Sequence, residues 1–84
     1  MMTPVILPKI GWLGMPKCRN SIWFAWWCKA NGAEIEVNEA LAVVDTPVAR
    51  IKIKAPVSGF LFWMKKDRRR IQLLDVLGVI VDTL

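Results

Sequence analysis

Cys18 and Cys28 are the first residues in this chain to weigh for covalent chemistry, because the sequence holds no histidine and no tyrosine. Lys17 and Arg19 flank Cys18, and neighbouring cations stabilise a thiolate. A reactive thiol still needs a base or an orienting partner to do catalysis, and none stands out in the sequence. The two cysteines lack the CxxC spacing of a redox or zinc motif, and without histidine a metal site would be short of ligands. There is no paired-carboxylate motif and no glycine-rich phosphate loop. The expectation is a chain that is not an enzyme, with no cofactor and no metal. Two free thiols fit a reducing compartment better than one disulfide does.

Charge is the second chemical resource. The net charge is +5. Lys65, Lys66, Arg68, Arg69 and Arg70 form a basic cluster around Asp67, and Arg50, Lys52 and Lys54 form a basic row. Such clusters can meet nucleic acid, an anionic membrane surface or an acidic protein. They also occur simply as solvated loops and strand faces. No nucleic-acid motif accompanies the charge, so nucleic acid is not the expected partner.

These residues must be held by short strands. Ala49-Arg50-Ile51-Lys52-Ile53-Lys54 alternates apolar with cationic, the pattern of a half-buried strand. Phe60 to Met64 and Val76 to Val81 read as further strands. Asn31-Gly32, Val37-Asn38-Glu39, Asp45-Thr46-Pro47 and Pro56-Val57-Ser58-Gly59 supply turns. With 84 residues, the chain is expected to form a single domain over 1–84. A domain this small needs a dense apolar core, and 55% of its residues are hydrophobic, with five tryptophans among them. Most of these aromatics, Trp27 and Trp63 foremost, are expected in the core. Exposed ones would leave a homodimer open. The longest apolar run, Ile22 to Cys28, is too short to span a bilayer. The N-terminus has no basic segment before an apolar one. Both features lead to the expectation of a cytoplasmic protein.

The sequence also repeats itself. Ser21-Ile22-Trp23-Phe24-Ala25-Trp26-Trp27 aligns with Ser58-Gly59-Phe60-Leu61-Phe62-Trp63-Met64. After a one-residue gap, Ile35 to Val44 aligns with Ile71 to Ile80. Two similar halves predict a quasi-twofold arrangement, since neither half alone has enough core.

With these residues in view, the chain resembles the biotinyl/lipoyl carrier domain family. Val5-Ile6-Leu7-Pro8-Lys9-Ile10-Gly11 looks like the family's opening strand. Trp27, then Lys29-Ala30-Asn31-Gly32 and Ile35, is similar to its W-x-x-x-x-G-D-x-V stretch. Asn38-Glu39-Ala40-Leu41-Ala42 stands where the family has a turn glycine and Q-P-L, and Asn tolerates positive φ. Ala55-Pro56-Val57-Ser58-Gly59 resembles the segment after the modified hairpin. The resemblance covers residues 3 to 83. It implies an all-β, flattened barrel or sandwich of two four-stranded antiparallel sheets with quasi-twofold symmetry, a barrel-sandwich hybrid.

Departures from the family direct the functional expectation. The family's hairpin carries a lysine within E-T-D-K-A or E-A-M-K-M, where lipoate or biotin is attached. The matching residues here are Asp45-Thr46-Pro47-Val48-Ala49, so Val48 stands at the lysine position. Valine has no amine to form the amide, and Pro47 stiffens the tip. The loop from Gly11 to Asn20 is longer than the family's and carries Trp12, Met15, Cys18 and Arg19. Trp and Arg are over-represented in binding hot spots. Together with Asp45, Thr46, Pro47 and Val48, this loop is the candidate partner-binding surface. The basic cluster replaces glycines of a shorter second loop. The implied function is a degenerate carrier domain that docks on a partner enzyme of a 2-oxo-acid or biosynthetic pathway. Two alternatives are an unconventional carrier loaded at Cys18 or another lysine, and a basic binder of nucleic acid or membrane surfaces.

Overall fold

A computed structural model describes residues 1–8, 15, 18, 20–66 and 68–83. β-branched, aromatic and alternating runs become eight strands. They are β1 (Met2–Ile6), β2 (Trp23–Trp27), β3 (Glu34–Ile35), β4 (Ala40–Asp45), β5 (Arg50–Lys54), β6 (Gly59–Trp63), β7 (Arg69–Arg70) and β8 (Val76–Val81). They make two four-stranded sheets, ordered β1-β8-β6-β3 and β5-β4-β2-β7, with every pairing antiparallel. The sheets pack as a sandwich and do not close into a barrel. Among the described residues no helix is long and apolar enough to cross a membrane.

The quasi-twofold relation is visible in the strand order. Adding four to β1 through β4, and taking four from β5 through β8, converts one sheet's order into the other's. Each sheet therefore mixes strands of both halves. The core follows the same symmetry: Phe24 with Leu61, Ile35 with Ile71, Leu41 with Leu77, Val44 with Ile80 and Val5 with Ile53 are all buried. Alternation sends most of these residues inward, while Leu41 and its mate Leu77 are bulged out of their ladders and so join Val44 and Ile80 in the core.

Paired turns repeat in their hydrogen bonds. The Glu36 N–H donates to Glu39 Oε1 at 2.6 Å, and the Gln72 N–H donates to Asp75 Oδ2 at 2.8 Å. Asn38 has φ 72° and Leu74 has φ 67°. The positive φ expected at Asn38 is found. Leu74 adopts the same conformation without the local hydrogen bonding that Asn offers. Its N–H donates to the Leu7 carbonyl at 3.1 Å, as that of Asn38 does to Ala55 at 2.8 Å.

One detail of the repeat is corrected. The one-residue gap falls inside β2, not after Trp27. Phe24 pairs with Val44 and Trp26 with Val43, so Ala25 is bulged out of the ladder. The true mate of Trp27 is thus Trp63 rather than Met64: Trp27 pairs with Ala42, and Trp63 with Gly78. The two rings stack on each other, 5.9 Å between centroids and 3° from parallel. Trp27 Nε1 donates to the Lys65 carbonyl, and Trp63 Nε1 donates to the Lys29 carbonyl at 3.2 Å. Lys29 and Lys65 are themselves mates, so the pair of rings closes on itself reciprocally. Both tryptophans pack against the core, as expected of them.

Candidate docking surface

The hairpin between β4 and β5 is a tight four-residue connection. The Thr46 N–H donates to the Ala49 carbonyl at 3.0 Å. Thr46 Oγ1 accepts from the Ala49 N–H at 3.0 Å and donates to the Ala49 carbonyl at 2.6 Å. Pro47 and Val48 form the tip, and Val48 is 49% exposed. The tip therefore carries an apolar side chain on a stiff, projecting turn.

Asp45 at the base of this hairpin organises its surroundings. Arg50 Nε donates to Asp45 Oδ1 at 2.7 Å, and Arg68 Nη1 donates to Asp45 Oδ2 at 2.9 Å. Arg68 comes from the segment before β7, so the structure joins the basic cluster to the hairpin. Both guanidiniums hold the Asp45 carboxyl below its ordinary range, Arg68 more than Arg50. A depressed pKa contributes stability that is present above the unfolded-state value and lost as pH falls through the folded one. We therefore expect this contribution to be constant above about pH 5 and to fade below about pH 4. A carboxyl-carbon NMR titration checks it: Arg68→Ala raises the Asp45 midpoint, and an unmoved midpoint would break the link.

The outer face of the β5-β4-β2-β7 sheet carries the rest. One row across the sheet runs Arg70, Trp23, Asp45, Arg50. The next runs Trp26, Val43, Lys52. Arg68 and Arg70 lie over the Trp23 ring, 5.5 and 5.3 Å from its centroid, and Arg50 lies 4.9 Å from that of Trp26. Guanidinium–indole contacts of this kind are worth about 0.5–1 kcal/mol at exposed sites. Trp26 remains 45% exposed. These two rows and Arg68 thus present four cations, one shared carboxylate and accessible indole surface.

Trp23 and Trp26 could not be assigned to this face from alternation. Three residues apart in a regular strand, they would point to opposite sides. The bulge at Ala25 restores them to one side. A rule of period two has no place for the extra residue.

The other expected contacts are distributed differently. Met15 is exposed. Cys18 is only 1% exposed, which corrects its candidacy: a thiol packed in the interior offers no surface to a partner. Trp12 and Arg19 lie outside the described residues. Lys65 is half-buried, with its carbonyl engaged by Trp27, while Lys66 and Arg69 are exposed. Among the described residues no group of three His, Cys, Asp or Glu side chains could hold a metal ion. No family model matches the chain, and no curated protein matches it in sequence.

Proposed function

We propose that this protein is a docking module, shaped like a carrier domain without its acceptor lysine, which binds an acidic surface of a partner protein through its hairpin end. The expected partner is an enzyme of a 2-oxo-acid or biosynthetic pathway, and the expected compartment is the cytoplasm. The observation that carries the reading is the Asp45 network. It fixes Arg50 over exposed Trp26 and Arg68 over Trp23, while Val48 projects from the adjoining turn. Pre-ordered Trp and Arg side chains are the groups that dominate binding energy at interfaces. Holding them in place before binding reduces the entropy lost on docking. The carrier alternative has less support, because Cys18 is buried and Val48 has no amine.

The test uses protein purified from its native host. Its intact mass is expected to be that of the bare chain. A lipoyl, biotinyl or acyl increment would overturn the reading. The same preparation is expected to retain a host enzyme that Trp26→Ala/Arg68→Ala loses, with roughly a hundredfold weaker binding and an unchanged fold by circular dichroism. Retention of the enzyme by that double variant would sink the proposal. Arginines over tryptophans also favour a second reading, a polyanion binder. It would be adopted if the protein bound single-stranded nucleic acid or anionic vesicles with steep salt dependence.

A further inference from the structure

A cleft of about 510 Å³ lies between the free edges of the two sheets. Its walls are β1 and β5, each paired on one side only among the described residues. The two strands are quasi-twofold mates with the same burial sequence. Buried Val5 and Ile53 belong to the lining, and Pro4, Ile6, Lys52 and Lys54 stand exposed around them. The cleft therefore sits on the pseudo-symmetry axis, where a closed barrel would have joined its sheets.

The width of this seam is informative. No Cα atom of β1 comes within 8 Å of a Cα atom of β5. Paired strands lie about 4.8 Å apart, so β1 and β5 do not pair across the seam, and among the described residues the outer edge of β5 has no ladder partner. The outer N–H and C=O groups of β5 supply a ladder edge. β1 contributes less to such a ladder, because Pro4 has no N–H, but adds apolar wall.

Charge identifies the occupant. The lining includes Lys52 and Lys54, with no Asp or Glu among the described lining residues. Lysine on an edge strand discourages pairing with a second copy, because like charges would oppose each other. A strand carrying acidic residues meets the opposite situation. We infer that the β1–β5 cleft is a binding site for an extended, acidic segment of a partner protein, added to β5 as a further strand. This site borders the sheet face described above through Lys52 but includes neither Trp26, Arg68 nor the hairpin tip, and it does not depend on that reading.

The probe is a fluorescently labelled ten-residue peptide of alternating Glu and Val, titrated into the full chain. Saturable binding is expected, with slowed amide exchange at residues 50–54. Lys52→Glu/Lys54→Glu weakens it roughly tenfold or more, and so does N-methylation of alternate peptide amides, which removes ladder hydrogen bonds. Trp26→Ala/Arg68→Ala leaves it unchanged, so failure here and failure of the hairpin-end reading are distinguishable. Equal binding of a Lys/Val peptide or of poly-glutamate would overturn the inference, as would protection elsewhere in the chain. Slowed exchange at residues 50–54 that grows with protein concentration alone would assign the edge to a second copy and overturn it as well.

Discussion

Gly59→Ala is expected to destabilise the fold by about 4 kcal/mol. Gly59 has φ 151°, a region that residues with a Cβ avoid. An added Cβ would stand 2.5 Å from the Val81 carbonyl oxygen and 2.8 Å from Ile80 Cγ2. The first obstacle is backbone in the paired strand β8, so it cannot rotate aside. Relief requires moving β6 from β8 in the middle of their sheet. A chain of this length has roughly 4–12 kcal/mol of stability in total. Gly32→Ala is the control: φ is 87° there and the nearest atom to a new Cβ is 4.0 Å away, so only the left-handed backbone penalty of about 1 kcal/mol applies. Urea unfolding of both variants checks the contrast. Equal losses would mean that crowding against β8 has no part in it.

Trp27→Ala and Trp63→Ala are each expected to cost about 3 kcal/mol. Each removes an indole packed on the core and a hydrogen bond to the carbonyl of Lys65 or Lys29. The double variant is expected to lose less than the sum by about 1 kcal/mol, because the stacking of one ring on the other is lost in either single variant. Strict additivity in the double-mutant cycle would show two independent core residues. The cycle thus measures the symmetry of the fold at a place where mates touch across the axis.

Much of the architecture was legible in sequence. Strict alternation from Ala49 to Lys54 announced β5, and the spacing from Ile35–Val44 to Ile71–Ile80 gave the correspondence of β4 with β8 without error. Asn38 announced its turn through its own conformational tolerance. Leu74 announced nothing, because leucine has no local preference for positive φ. The Ala25 bulge escaped because it is set by pairing with β4, which no local pattern encodes. Its effect spread to the site: Trp23 and Trp26 shared a face that alternation denied them. The Asp45–Arg68 pair was hidden for a related reason, since 23 residues separate the partners and only the path of the chain brings them together. The turn signal at Asp45-Thr46-Pro47, by contrast, was local, and Pro47 and Val48 stand on the hairpin tip.

The exchange of strands between halves has a consequence for how the chain is made. Met2 pairs with Val81, and among the described residues β8 is the only ladder partner of β1. Translation at about 5–20 residues per second puts roughly 4–15 s between the synthesis of β1 and that of β8. Neither half can shelter by folding early, because β1 and β3 belong to a sheet completed by β6 and β8. Nucleation must wait for long-range closure, which makes for slow folding. From its own synthesis until β8 is made, the run of Trp23, Phe24, Trp26 and Trp27 lacks its finished sandwich and is an attractive target for holdase chaperones.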